Sequence, residues 1–364
     1  MKPKILIIGS TGKLGIKILN FCSKKKIDIF CITGFKNNKL LKIQSKKYSI
    51  KNFFLLSDKR ESLNFQSFLI INKIDIIYFL DYGYKSLLYS DIFLQNNKNS
   101  QIAIANKEMI IAGGDTLINK IYSTKNKFIP LDSEHFSLLN TSFNNDNIKK
   151  IYITASGGPF YYKKNINLNK VSLKSVLAHP KWKMGVNNSI DSSNFINKIL
   201  EIYELSIIFK IDLLKIDFLI SQNAYVHSII LNRNNIVNLN CFNNDMLITL
   251  VNPLLRFYPF IDLKINNYFL NNNMLKLEKF NDRRFKINKY IKMLKFLSPH
   301  KQITFMILNN IAQKKYLSSE IKYNEILDFI MTNLKINNKF VSFKSIKDRL
   351  NFITSIEKYY EHKN

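Results

Sequence analysis

Cysteine is scarce, with three residues, Cys22, Cys31 and Cys241, among 364. An odd, scattered set supplies neither a disulfide framework nor a metal knuckle, and it fits a reducing compartment. Long apolar runs are also missing. The amino-terminal run Ile5–Ile8 stops at Gly9, and no run approaches the ~18–20 residues that a membrane-spanning helix needs. The expectation is a soluble, cytoplasmic protein with no targeting segment and no membrane partner. Acids are few: 26 Asp plus Glu stand against 55 Lys plus Arg, a formal net charge of +29. Such an excess invites a nucleic-acid reading through phosphate neutralisation. No zinc-finger spacing, RNA-recognition signature or basic–aromatic stripe accompanies it. The cations are almost all lysine, spread along the chain with an excess of Asn and Ile. An AT-rich coding genome imposes that joint bias on any protein. A basic nucleic-acid-binding protein is therefore the alternative, and no specific nucleic acid is expected as a partner. Attraction of anionic metabolites is the simpler use of the charge.

What is present is ample core material. Apolar residues make up 46% and aromatics 13% of the chain, which excludes global disorder, and the length suits two or three domains. Ile5–Ile8 reads as a strand buried on both faces, followed by a glycine-rich loop and a helical pattern over Ile16–Lys24. Further apolar runs at Ile27–Thr33, Ile74–Leu80 and Ile102–Ala105 alternate with loops and helices to about residue 150. This predicts an α/β fold whose N-terminal part is a doubly wound, Rossmann-like parallel sheet. Ile151–Thr154 opens a second, central α+β region. Helical spacing runs through Ser192–Phe209, and strand-like segments fill 213–251. The Asn- and Lys-rich stretch 262–290 reads as a connector, and a small helical domain follows. The predicted domains are 1–150 for cofactor, 151–261 for catalysis with a flap near 176–187, the connector 262–290, and 291–364.

Several segments carry chemistry. A glycine-rich turn between first strand and first helix lets backbone N–H groups meet a pyrophosphate. Here the spacing is Gly9-x-x-Gly12-x-x-Gly15, not the standard dinucleotide fingerprint, and a purely structural turn is the other reading. The second strand leads into Thr33-Gly-Phe-Lys-Asn37 and not into an acid. Lys36 could pair with a 2′-phosphate, which favours NADP over NAD; the other reading is one more solvated lysine. Ala105-Asn-Lys-Glu108 follows a strand, at the end where open α/β sheets bind ligands; an ordinary surface Lys-Glu pair is the other reading. In Pro130-Leu-Asp-Ser-Glu-His135, an extended segment would put Asp132 and Glu134 on one face, where a hard divalent cation with oxygen ligands would relieve their repulsion; a solvated acidic turn is the alternative. In Asp191–Glu201, Ser192 is expected to precede or cap a helix on which Asn197, Lys198 and Glu201 share a face. Lys198, Ser192 and Asn197, with Ser156 opposite, make a plausible phosphate clamp; a capped amphipathic helix with an ordinary ion pair is the other reading, and the favoured one for this segment taken alone. The only tryptophan, Trp182, sits in the polar loop His179–Gly185, as a packing anchor or as part of a closing flap.

Taken in order, GSTGKLG (Gly9–Gly15), ANKE (Ala105–Glu108), PLDSEH (Pro130–His135), TASGGPF (Thr154–Phe160), HPKWKMG (His179–Gly185) and IDSSNFINKILE (Ile190–Glu201) resemble 1-deoxy-D-xylulose 5-phosphate reductoisomerase. The resemblance spans most of residues 1–230. It implies an NADPH-dependent oxidoreductase of the non-mevalonate isoprenoid pathway. Such an enzyme rearranges 1-deoxy-D-xylulose 5-phosphate, by retro-aldol then aldol steps, and reduces the product to 2-C-methyl-D-erythritol 4-phosphate. By resemblance, Thr11, Gly12, Lys13 and Leu14 line the NADPH site, with Phe35, Lys36 and Asn37 near the adenosine phosphate and Asn106, Glu108 and Gly185 also touching the cofactor. Asp132, Glu134 and Glu201 hold Mg²⁺ or Mn²⁺. Lys107, Ser133 and Glu134 contact the substrate backbone. Ser156, His179, Ser192, Asn197 and Lys198 bind its phosphate end beneath the flap carrying Trp182. A homodimer is implied as well. There are departures. Asp81–Lys85 keeps only Gly83 of a glycine-rich family segment, and Met184-Gly-Val-Asn187 loses positive charge. Ile199 replaces a glycine, Ser221-Gln-Asn-Ala224 replaces a His-Pro-Gln-Ser run although His227-Ser228 persists, and Ile307-Leu-Asn-Asn310 stands for an Ala-Ala-Asn-Glu motif. A catalytically silent relative is the further alternative, against which the intact acids and Lys198 speak.

Overall fold

In the computed structural model, which describes residues 2–139, 141, 145–178, 185–263, 276–335 and 341–361, the chain divides into two compact units. Met1–Leu139 with Asn243–Tyr268 form the first, and Asn140–Phe242 with Phe269–Asn364 form the second.

Short, mostly apolar runs make the strands of the first unit. Along the chain come β1 (Ile5–Ile8), α1 (Lys13–Lys24), β2 (Cys31–Gly34), α2 (Asn38–Lys47), β3 (Asn52–Leu55), α3 (Lys59–Ile71), β4 (Ile76–Phe79), α4 (Leu87–Asn96), β5 (Gln101–Ile104), α5 (Lys107–Ser123), β6 (Lys127–Pro130) and the single turn α6 (Ser133–Phe136). The six strands pair in parallel in the order β3-β2-β1-β4-β5-β6, the doubly wound arrangement that the alternation predicts. All four β1 residues are fully buried, each contributing roughly 1.5–3 kcal/mol of apolar burial. Helix α1 turns Ile18, Leu19, Phe21 and Cys22 inward.

The second unit opens with β7 (Ile148–Ala155), α7 (Leu173–Leu177), α8 (Val186–Asn194), α9 (Ile196–Phe209), β8 (Ile216–Ile220), β9 (Val226–Asn232) and β10 (Val237–Cys241). The chain then returns to the first unit as α10 (Met246–Val251), tied there by Lys17–Asp245 at 2.5 Å and by the Tyr78 hydroxyl, which donates to the Leu250 carbonyl at 2.9 Å. Back in the second unit come β11 (Glu278–Lys279), α11 (Ile291–Leu294), α12 (Pro299–Leu317), α13 (Ile326–Leu334) and α14 (Ile346–Glu361). Its mixed sheet runs β10-β9-β7-β8-β11, with β7 and β8 parallel and the other pairs antiparallel. The C-terminal region is helical, as expected. No helix among the described residues is long and apolar enough to cross a membrane.

Three local readings need correction. Ser192–Phe209 is two helices, because Phe195 takes a left-handed conformation (φ 66°) between α8 and α9. Ser192 consequently lies inside α8 and does not cap the next helix. Asp132 and Glu134 do not share an extended strand face. Asp132 is the residue before α6 and Glu134 stands in that helix's only turn. The last strand-like stretch before residue 251 is helix α10, a run of six residues, apolar but for Thr249, too short to carry a period that tells strand from helix.

Candidate active site

In the first unit every candidate residue collects at the carboxyl ends of the parallel strands. After β1, the Gly9 and Ser10 amides both donate to the Thr33 carbonyl, at 3.2 and 2.9 Å, which folds the loop back over β2. Gly9 has φ +85°, and a Cβ there would lie 2.6 Å from the Asp81 nitrogen. A Cβ on Gly15 would lie 2.5 Å from the Gly9 carbonyl oxygen. Both positions need glycine for close backbone approach. Helix α1 begins after Gly12 with no side-chain cap and no acid in its first turn. Its N–H groups and dipole favour an anion there. Gly12 and Lys13 are exposed, Thr11 and Leu14 half-buried, and Thr11 packs over Gly34. These features fit a dinucleotide's pyrophosphate.

Beyond β2, Phe35, Lys36 and Asn37 are exposed. Asn37 caps α2 by accepting from the Leu40 amide at 3.0 Å, and the Lys85 ammonium stands 5.3 Å from the Phe35 ring centre. Beyond β5, Asn106 caps α5 by accepting from the Met109 amide at 3.1 Å, while its Nδ2 donates to the Gly83 carbonyl at 2.5 Å. It lies 3.5 Å from Asp81 Oδ1. Asp81 also accepts from the Ser86 hydroxyl. Burial pushes the Asp81 carboxyl up to about 6, opposed by the Ser86 and Asn106 bonds. Burial likewise raises Glu108, against the pull of Lys107. Nothing in the sequence marks Asp81 as a site residue, because a strand-end acid carries no signature of its own. The one available signal was its place where the glycine-rich segment is lost.

Lys107, 6% exposed, opens α5, and its Nζ stands 3.7 Å from Asp132 Oδ2. The His135 Nδ1 is 3.9 Å from the other Asp132 oxygen. Ser133 Oγ donates to Glu134 at 2.5 Å. Burial and then the neighbouring Glu134 carboxylate raise Asp132, with Lys107 drawing it down. Two carboxylates that disfavour each other's charge, with the Lys107 ammonium near, are an oxygen donor set suited to a hard cation.

The second unit assembles the other half of the candidates. The turn after β7 carries Ser156, half-buried, then Gly157 and Gly158 at φ +91° and +60°. A Cβ on Gly158 would sit 2.8 Å from the Ser192 carbonyl oxygen, so this turn packs directly on the last turn of α8. After the break at Phe195, the Asn197 amide donates to Glu201 Oε1, and the Lys198 ammonium pairs with Glu201 Oε2. Lys198 and Glu201 are 7% and 2% exposed. Gly185, exposed, precedes α8 as its cap residue. His179 and Trp182 lie outside the described residues.

Comparison with known proteins gives one consistent answer. Residues 128–209 match the family model of the 1-deoxy-D-xylulose 5-phosphate reductoisomerase C-terminal domain. The 1-deoxy-D-xylulose 5-phosphate reductoisomerase of Pelagibacter ubique is 35% identical over 378 residues, covering 95% of this chain and 94% of the relative. That of Clostridium novyi is 29% identical, covering 99% and 98%. A crystal structure of DOX-P reductoisomerase in complex with NADPH, fosmidomycin and magnesium superposes with a TM-score of 0.85 at 22% identity, covering 99% of this chain and 98% of that one. The Zymomonas mobilis enzyme in complex with NADPH gives 0.81 at 20% identity, covering 98% and 97%. At those identities the superpositions establish a shared fold.

Proposed function

The chain belongs to the 1-deoxy-D-xylulose 5-phosphate reductoisomerase family, and from that premise we propose that it converts 1-deoxy-D-xylulose 5-phosphate to 2-C-methyl-D-erythritol 4-phosphate with NADPH and a divalent cation. The observation that carries this reading is the gathering of the glycine loop, Asn106, Lys107, Asp132 and Glu134 at the carboxyl end of one parallel sheet, where such folds bind dinucleotides.

Thr11, Gly12, Lys13 and Leu14 cradle the cofactor's pyrophosphate. Phe35, Lys36 and Asn37 receive the adenosine end, where Lys36 supplies the charge for a 2′-phosphate. Asn106, Glu108 and Gly185 line the rest of the cofactor site. Asp132, Glu134 and Glu201 are the acids that hold Mg²⁺ or Mn²⁺. When bound, the cation supplies Lewis acidity toward the ketone and hydroxyl oxygens, and the cofactor supplies the hydride. Lys107 places an ammonium beside the acids and, with Ser133 and Glu134, orients the sugar backbone. Lys198 answers the phosphate charge, while Ser156, Ser192, Asn197 and His179 donate to its oxygens. The Asn197 and Lys198 bonds fix the Glu201 carboxylate in one rotamer before any ligand arrives. Trp182 excludes water over the sugar phosphate. NADPH is bound by the N-terminal part expected at 1–150, joined there by Asn243–Tyr268, and the phosphate-binding residues Ser156, Ser192, Asn197 and Lys198 come from the second unit. The working form is a homodimer in the cytoplasm, with support for that compartment in three free cysteines.

The test is NADPH absorbance with purified protein, substrate and Mg²⁺. Turnover stops with a chelator and returns with added cation. Glu201→Gln lowers kcat/KM by more than about a hundredfold. Absence of turnover across metals and pH would reject the reading. DNA or RNA binding that persists at about 0.15 M salt would favour the basic-protein alternative.

A further inference from the structure

Helices α8 and α12 meet through a buried carboxylate that lies within the Ile190–Glu201 segment but carries none of the roles proposed above. Asp191, 1% exposed, accepts from Asn309 Nδ2 at 3.0 Å on one oxygen and 2.9 Å on the other, and from Gln313 Nε2 at 2.5 Å. Asn309 and Gln313 are 0% and 1% exposed and stand one helical turn apart on α12. Gln313 Nε2 also lies 3.3 Å from the Asn187 carbonyl, one turn before Asp191. Two residues further along α8, the Ser193 hydroxyl bonds with the Tyr323 hydroxyl at 3.0 Å. Successive side chains on a helix point about 100° apart. Gripping residues 191 and 193 from known directions therefore fixes the rotation of α8 about its axis, and with it the direction of Ser192 between them. The same grip sets where α9 begins, and so where Asn197 and Lys198 lie. Ser192 in turn abuts the turn that carries Ser156.

We propose that Asn309 and Gln313, acting through Asp191, are positioning residues for the phosphate end of the substrate. The proposal rests on the functional reading above and specifies how one part of that site is held. It also gives a role to the one residue, Asn309, that the altered motif Ile307-Leu-Asn-Asn310 retains at its place. The energetic logic is that a carboxylate in a dry interior must be hydrogen-bonded, and bonds to a charged acceptor are stronger than neutral ones. The amides thus bind Asp191 firmly without adding a cation that would compete for the phosphate.

The experiment compares wild type, Asn309→Ala, Asn309→Asp and the swapped pair Asp191→Asn with Asn309→Asp. The swap keeps one carboxylate and its amide donors. Asn309→Asp alone sets two carboxylates against each other. Two readouts are taken on folded protein with matched melting temperatures near assay conditions. Steady-state kinetics should show KM for the sugar phosphate raised about tenfold in Asn309→Ala and more in Asn309→Asp. KM for NADPH should stay within twofold, and the swap should return the first KM to within about threefold of wild type. Thermal stabilisation by inorganic phosphate should follow the same order: present in wild type and the swap, reduced in the single variants. The proposal is overturned if Asn309→Ala leaves the substrate KM unchanged, if both KM values rise together, if the swap fails to rescue while folding normally, or if phosphate stabilises all four alike or none. A wild type that binds phosphate but never turns over rejects the functional reading alone, since the phosphate arm still decides this one.

Discussion

Asp81 shows how a single side chain can weigh on the whole fold. Just past β4 its backbone abuts Gly9 while its carboxyl meets Ser86 and Asn106, and burial lifts it from an ordinary 3.8 to about 6. A group whose folded value is raised holds its proton longer in the native state. Between about pH 4 and 6 the folded form is protonated while the unfolded form is not, so stability falls as pH rises through that window and stays lost above it. Asp81→Asn removes the cost of a buried charge while leaving an oxygen for the Ser86 hydroxyl. The variant should therefore be more stable than wild type by about 1–3 kcal/mol at pH 8, with the two converging near pH 4. Urea midpoints at a series of pH values check this. A gap that does not widen with pH removes burial of the charge as the cause.

At the scale of elements, the break between α8 and α9 pits backbone against packing. A non-glycine residue in the left-handed region costs of order 1–2 kcal/mol. Phe195 meets that cost because it is 2% exposed, with ring centres 4.4 Å from Phe280, 4.8 Å from Phe285 and 6.0 Å from Phe218. Losing a buried phenylalanine costs about 3–5 kcal/mol, more than the backbone strain. Phe195→Gly should therefore relax the backbone and still destabilise by about 2–3 kcal/mol, measured as a lower denaturant midpoint. A stabilised variant would mean that strain outweighs packing. The same break marks where the sequence was and was not legible. Ser192–Phe209 has unbroken helical spacing with no Gly or Pro, and the turn is imposed by aromatic partners remote in sequence, which no local pattern encodes. The four-residue α6 is too short to show a period, so Asp132 and Glu134 read as extended. The Asp191 clamp was invisible because Asn309 lies 118 residues downstream. By contrast, the inner strands β1, β2, β4 and β5 were readable as buried, mostly apolar runs, whereas the edge strands β3, half-buried throughout, and β6 were not. Gly9 and Gly15 were readable because only glycine permits such backbone approach. Lys198 and Glu201 could be paired because i, i+3 spacing on one helix leaves little freedom.

For the whole molecule the question is what a net charge of +29 does for an enzyme whose ligands are anions. Acids number 26 against 55 cations, so even complete pairing would leave a large surplus of positive charge in solution. Many of the pairs that do form, such as Lys2–Asp28 and Lys286–Asp328, are exposed and worth little in stability. The surplus acts instead on encounter, by raising the local concentration of NADPH and sugar phosphate. Its lysines are scattered along the chain and not gathered in one run of sequence. That distribution predicts a moderate salt effect. From about 0.02 to 0.3 M monovalent salt the screening length falls through the dimensions of a binding cleft. Over that range kcat/KM for both ligands should drop together by about three- to tenfold, with kcat flat. Steady-state kinetics at constant free Mg²⁺ measures it. A kcat that falls with salt would locate the charge effect in the chemical step. A kcat/KM insensitive to salt would leave the lysine surplus with no part in catalysis, a residue of codon composition alone.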